Sequence, residues 1–470
     1  MKKPIIEKLL NVLALATIVP TSALAEADAK PPLRIFSETD GQKAERLSWW
    51  QHDRFGMFIH FGLYAVPARH EWVKSREGIK DADYDRYLPR FNPDLYDARE
   101  WARTAKAAGM KYAVLTTKHH EGFCMWDTDT TDYKITKTPF GRDLVREYVD
   151  AFRAEGLRVG FYFSIIDWRH PDFTIDRTHP LFKHLPPGKD LAAQVAKANE
   201  GRDMARYRKY MFSQIEELLT RYGKIDIIWF DYVCKADFGK SWRDYDSVEV
   251  IKLARRLQPQ CIVDSRLDLM DTEDGWDFVT PEQFKVAAWP TVHGKKAPWE
   301  TCQTFSGSWG YHRDEATWKS MPQLIELLSE TVSKGGNLIM NVGPTARGAF
   351  DDRAMERLDG FAKWMRYNSR SIYGCTVAPE GFVAPNGTAL TYNPKANTLY
   401  VHLYDYPMGF LPLDFYDKVK YAQFLHDGSE LFIRKPSAHH GQSGDTKPVG
   451  GITLPVLKPN VLVPVVEIFL

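Results

Sequence analysis

The chain has 470 residues, enough for a large barrel and one smaller domain. Its 44% hydrophobic and 26% charged residues make an ordinary globular composition, and a net charge of +1 gives no electrostatic case for nucleic acid or an acidic membrane surface. Aromatic residues reach 13%, which fits either a large aromatic core or a site that stacks on sugar or base rings.

At the N-terminus, Lys2, Lys3 and Lys8 precede a mostly apolar run over 9–20, and Ala23-Leu24-Ala25 offers a small-x-small cleavage site. Residues 1–25 read as a secretory signal peptide of bacterial type, so the mature protein is expected to be exported, periplasmic or secreted. No later stretch approaches the ~18 apolar residues of a spanning helix, so no membrane insertion is expected. Cys124, Cys234, Cys261, Cys302 and Cys375 form no CxxC pair and read as small buried apolar side chains.

A helix is predicted over 45–52, followed by a strand over 55–62 that ends near His60. The next helix has Asp97 in its N-cap region, Trp101 and Ala105 on one face, and Gly109 as its stop. Residues 112–117 form a strand leading into Lys118-His119-His120. Asp143 opens a helix with Val145, Val149 and Phe152 on one face, stopped by Gly156, and 159–164 is the third strand. A helix over 207–222 leads to 225–231, an apolar run closed by Asp231, the pattern of a buried parallel strand. After a helix over 246–257 and a strand over 261–266, the runs 278–282 and 299–303 are weaker strand candidates. A helix over 322–334, a strand over 337–342 and a helix over 353–368 complete the series.

Alternation at this spacing predicts parallel βα units, and eight of them predict an α/β fold: a (β/α)8 TIM-like barrel over residues 26–372. Neither a GxGxxG nor a GxxxxGK[ST] run occurs, which argues against a nucleotide-binding sheet. Over 373–470 helical periodicity stops, and short alternating runs separated by turns such as Pro385-Asn386-Gly387 predict an antiparallel β-sandwich. Residues 435–450 read as a polar loop.

The predicted strand ends carry a set of functional groups: His60, His119 and His120, Tyr162, Trp229 with Asp231, Arg266, and Glu282. Such a set at one end of a barrel is what an active-site mouth looks like. Taken singly, Asp231 also suits a cap of the following helix, and one of His119 and His120 suits a packed core position. A metal site is disfavoured, because neighbouring strand residues such as His119 and His120 point to opposite faces. Glycoside hydrolysis needs two carboxylates with split duties. Asp231, short and held on a strand, suits a nucleophile; Glu282, longer and on a looser strand end, suits an acid/base. Their separation, and with it the stereochemistry, is not set by sequence.

The runs 55–67 with Glu71-Trp72, 115–123 with Trp126-Asp127, and 160–164 resemble, in order, the α-L-fucosidases of glycoside hydrolase family 29. Trp229-Phe230-Asp231, the stretch 277–282, Trp299-Glu300-Thr301-Cys302, 308–311 and 335–344 continue the resemblance. It implies a retaining exo-enzyme that releases terminal α-L-fucose from a fucosylated oligosaccharide or glycoconjugate, with no metal or cofactor. Asp231 becomes the nucleophile and Glu282 the acid/base, with Glu300 the rival for the second role. His60, His119, His120, Tyr162, Trp229 and Arg266 would line the fucose pocket, Trp309 would sit at its rim, and Glu71 and Trp126 join the substrate-binding set. Phe61 stands where many relatives have Trp. Tyr232 stands where many have Gly, and with Val233-Cys234-Lys235 it adds bulk beside the nucleophile. A reading from another class is a non-catalytic glycan-binding protein on a barrel scaffold. The oligomeric state is not legible.

Overall fold

The structure is a computed structural model and describes residues 34–188, 190–231, 238–436 and 449–470. The signal-peptide assignment, the Tyr232–Lys235 bulk and most of the 435–450 loop lie outside these residues.

Helix α1 (Asp40–Asp53) precedes strand β1 (Phe55–Ile59). There follow α2 (Ala98–Ala107), β2 (Tyr112–Lys118), α3 (Leu144–Ala154), β3 (Arg158–Ser164), α4 (Met204–Arg221) and β4 (Ile227–Asp231). Then come α5 (Ser247–Leu257), β5 (Ile262–Val263), β6 (Glu300–Thr304), α6 (Met321–Ser333), β7 (Asn337–Val342) and α7 (Asp352–Asn368). Asp97 and Asp143 do cap their helices, accepting from the amides of Arg99 and Glu100 and of Arg146. Gly109 follows its helix at φ 86°, a left-handed turn that suits glycine.

The strands form one parallel sheet in the order β5-β4-β3-β2-β1-β7-β6. Single parallel bridges from Asp264 to Phe278, from Val279 to Trp299 and from Glu282 to Cys302 join its two edges through residues 278–282. The sheet thus curls into a TIM-like barrel whose sixth stave is frayed. Pro281 has no amide proton to give a ladder there. The fifth strand is also shorter than predicted. The Asp277 and Asp264 carboxylates accept the amides of Val263 and Phe230, replacing backbone partners.

Strand alternation sorts the side chains into two layers. Phe58, Val114, Tyr162, Ile227, Trp229, Cys302 and Ile339 fill the barrel interior, closed at its N-terminal end by Leu47 and Trp50 of α1. The alternate residues, such as Leu115, Phe161, Phe163, Ile228 and Phe230, join the larger core under the helices.

Beyond α7 lie a five-stranded antiparallel sheet (Thr376–Val377, Thr388–Asn393, Thr398–Leu403, Val465–Phe469, Tyr421–Phe424) and a three-stranded one (Phe410–Pro412, Gly451–Thr453, Ile433–Arg434). Leu399, Leu411, Phe415, Ile452, Val466 and Ile468 pack together as their shared core. The last strand starts only at Val465, because Pro464 lacks an amide and Val463 turns at positive φ. Tyr404 bonds Ser329 of α6 at 2.9 Å, tying this unit to the barrel. Among the described residues no helix is long and apolar enough to cross a membrane. Cys124, Cys261, Cys302 and Cys375 are buried free thiols; Cys234 lies outside the described residues.

Candidate active site

A cavity opens at the C-terminal mouth of the barrel. It brings together the predicted His60, His119, His120, Tyr162, Trp229, Asp231, Arg266, Glu282 and Trp309. Phe58, Trp72 and Cys302 also line it. Phe58 was findable, since it lies two residues before His60 and so shares its strand face. Trp72, from the Glu71-Trp72 pair of the resemblance, caps the short helix Val73–Arg76 and carries no periodic signal of its own.

The centre is Arg266. Its Nη1 donates to Asp231 Oδ1 at 3.1 Å and its Nη2 to Glu282 Oε2 at 2.6 Å, so one guanidinium spans both carboxylates. Its Nε donates to Thr280 Oγ1 at 2.9 Å, and the group lies 4.5 Å over the Trp229 ring. Asp231 closes β4 opposite Ser164 of β3. Its Oδ2 accepts the Tyr162 hydroxyl at 2.8 Å and lies 3.7 Å from His120 Nε2. Burial raises the Asp231 pKa, opposed by the Arg266 charge and the Tyr162 bond. Tyr162 is pushed well above the ordinary phenol range, first by burial and then by the Asp231 charge, so it stays a donor.

Two of the imidazoles are held from behind. Asn341 donates its Nδ2 to the Trp309 carbonyl at 2.6 Å, so its Oδ1 accepts from His60 Nδ1 at 2.6 Å. That fixes the proton on Nδ1 and leaves Nε2 as the acceptor. Burial, then the charge of His119, lowers His60 to about 3, so its ring is neutral. Ser164 donates to the Ile166 carbonyl at 2.8 Å and accepts from His120 Nδ1 at 2.7 Å. His119 and His120 both face the cavity, contrary to the alternation argument, because β2 ends at Lys118 and the pair lies beyond the pleat.

Three of the expected site residues stand elsewhere. Glu71 accepts the backbone amides of Trp309 at 3.2 Å and Gly310 at 2.8 Å, so it fixes the rim loop without lining the cavity. Burial opposes its ionisation, but His70, His119 and the Gly310 amide prevail and hold it at about 2. Trp126 is buried and donates to Glu217 Oε2 at 2.9 Å on α4. Glu300 opens β6 at the opposite end of the barrel, where it accepts from Trp50 Nε1 at 3.1 Å and from the Tyr112 hydroxyl. Its exposure is 0%, and burial raises its pKa to about 7.

A family model described as alpha-L-fucosidase matches residues 24–370. Tissue alpha-L-fucosidase of Homo sapiens is 27% identical over 405 residues, covering 81% of this chain and 80% of that one. Alpha-L-fucosidase isoenzyme 1 from Paenibacillus thiaminolyticus superposes with a TM-score of 0.82 at 41% identity, covering 91% of this chain and 99% of that one. A Bacteroides thetaiotaomicron alpha-L-fucosidase, solved as a trapped covalent intermediate with 2-fluoro-fucosyl fluoride, superposes with a TM-score of 0.76 at 26% identity. It covers 93% of this chain and 99% of the other.

Proposed function

This chain belongs to the α-L-fucosidases of glycoside hydrolase family 29, and from that premise we propose that it is a retaining exo-α-L-fucosidase with Asp231 as nucleophile and Glu282 as acid/base. The observation that carries the reading is Arg266 holding one carboxylate on each terminal nitrogen. Two carboxylates bridged by a single guanidinium favour the short separation of ~5 Å used by retaining enzymes over the longer one that leaves room for a water.

In the first step, an Asp231 oxygen attacks the anomeric carbon while Glu282 gives its proton to the departing glycosidic oxygen. The bond from carbon to that oxygen breaks as the bond to Asp231 forms. In the second step, Glu282 takes a proton from water, the water oxygen attacks the same carbon, and Asp231 leaves as a carboxylate. Two inversions restore the starting configuration. Arg266 holds Glu282 Oε2, so Oε1 is the oxygen left to carry the catalytic proton. The neutral His60 accepts a sugar hydroxyl at Nε2. Phe58, Trp229 and Trp309 supply apolar surface against the C–H faces and the methyl group of fucose.

Glu282 is favoured over Glu300 on position. A general acid has to reach the leaving oxygen, and Glu300 sits shut at the other end of the barrel. We further propose that the signal peptide ends at residue 25, that the barrel and the sandwich meet near residue 372, and that the mature protein acts outside the cytoplasm on fucosylated glycans.

The test is hydrolysis of an aryl α-L-fucoside by the mature protein beside Asp231→Ala and Glu282→Ala. The expected result is an active wild type, a nearly dead Asp231→Ala, and a Glu282→Ala rescued by azide as fucosyl azide of retained configuration. An azide product of inverted configuration from Glu282→Ala would overturn the assignment of Glu282 as acid/base. Wild-type protein that binds fucose but hydrolyses no α-L-fucoside would instead point to a glycan-binding protein.

A further inference from the structure

Two of the three imidazoles of the pocket are hydrogen-bonded at Nδ1, and the third meets a carboxylate there instead. His60 rests on the Asn341 amide oxygen and His120 on the Ser164 hydroxyl, both neutral groups. His119 Nδ1 lies 3.3 Å from Glu121 Oε2, a carboxylate that is 1% exposed and outside the cavity lining. Among the described residues neither His119 Nδ1 nor either Glu121 oxygen has a hydrogen-bond partner, so the 3.3 Å approach is an ion-pair contact without hydrogen-bond geometry. A buried carboxylate left so bare is costly unless a neighbouring group relies on it.

The surroundings of Glu121 are buried and aromatic. Tyr64, Tyr84 and Tyr133 are buried around it, and after burial its charge is the next influence pushing each phenol well above the ordinary range. All three are therefore neutral, and none hydrogen-bonds Glu121: Tyr64 pairs with Thr116 Oγ1. The Tyr64 ring packs 5.3 Å from His119. Gly62 fits between them only because it has no side chain: a Cβ there would meet Tyr64 Cε1 at 2.7 Å and Glu121 Oε1 at 3.3 Å. Sequence, loop and pocket are thus linked: Gly62 admits Tyr64 and Glu121, and Glu121 faces the back of His119.

We propose that Glu121 is a positioning residue, whose buried carboxylate keeps the His119 proton on Nδ1 and turns Nε2 toward the bound sugar. An ionised carboxylate only accepts, so it selects one ring orientation; a neutral amide can donate as well and loses that selection. The proposal rests on the fucosidase reading of the pocket.

The test is Glu121→Gln, with Glu121→Asp as the charge-retaining control. Each is measured for kcat and KM on an aryl α-L-fucoside, for fucose affinity by calorimetry, and for Tm. The expected result for Glu121→Gln is a KM and a fucose Kd that both rise about tenfold, with kcat changed less and Tm near wild type. Glu121→Asp should recover part of that loss. Wild-type KM and Kd in a folded Glu121→Gln would overturn the proposal, as would a Tm loss with no change in binding. A second readout does not need the variants to fold. Nitrogen NMR of the wild type should show His119 protonated at Nδ1, and an unprotonated Nδ1 would overturn the proposal. Failure of the fucosidase reading looks different: the wild type itself would then be inactive.

Discussion

Asp231 and Glu282 share Arg266, yet they stand on different kinds of backbone. Asp231 closes a strand paired on both sides, directly opposite Ser164, and its side chain is 11% exposed and held by Tyr162. Glu282 follows Pro281 on the frayed stave, touches the next strand through one bridge to Cys302, and is 40% exposed. Gln283 turns immediately after it at positive φ. The difference matches what the proposed role of each group would demand. A nucleophile has to meet one carbon along one line, so a rigid ladder serves it. An acid/base must serve a leaving oxygen and then a water, so a looser perch serves it.

The largest effect should come from the rigid side. Asp231→Ala is expected to lower kcat/KM on an aryl α-L-fucoside by roughly 10⁴–10⁶-fold, as loss of a covalent nucleophile does. A drop of less than tenfold would break the comparison at its root. On the loose side, Glu282→Gln is expected to cost about 10²–10⁴-fold on substrates with poor leaving groups. The loss should shrink as the leaving group improves, because a better one needs less protonation. A loss independent of leaving group would assign Glu282 a binding duty instead.

Glu300 sharpens the same contrast, because a displaced pKa does not by itself make a role. Its carboxyl is raised to about 7, a value that suits a catalytic acid, but it sits at the wrong end of the barrel. The cost appears in stability. The folded pKa of about 7 exceeds the unfolded one of about 4.3, so between these values the native state binds more protons and stability falls as pH rises. The penalty is absent below pH ~4 and complete above pH ~7, of order 4 kcal/mol. Glu300→Gln should therefore gain Tm relative to wild type as pH goes from 5 to 8. A Tm difference that stays flat over that range would show Glu300 ionised throughout.

Most of the barrel was legible because its signals are periodic: apolar runs at 112–117, 159–164 and 337–342 became β2, β3 and β7 almost unchanged. The site was legible where a functional group sits at a strand end, as Asp231 and Tyr162 do. It was illegible where loops decide. The step of chain after Lys118 turned both His119 and His120 inward, which strand alternation argues against. Glu71 and Trp126 carry the right chemistry in the right motifs, yet the fold spends them on the Trp309 loop and on Glu217. No spacing rule reports that a carboxylate will be taken up by backbone amides from residues more than 200 positions away.

The smallest expected effect concerns the hinge between the two sides. Arg266 reaches both carboxylates only while its own stem is fixed, and Thr280 Oγ1 fixes it at Nε from the frayed stave. Thr280→Val keeps the side-chain shape and removes that acceptor. The loss should be about 1 kcal/mol, close to fivefold in kcat/KM, with little change in Tm because Thr280 is only partly buried. The informative quantity is how the loss depends on the leaving group. If Arg266 steadies Asp231 and Glu282 together, good and poor leaving groups lose the same factor, since attack and protonation are both misplaced. If the loss is confined to poor leaving groups, Arg266 serves Glu282 alone, and Asp231 keeps its aim through β4 and Tyr162.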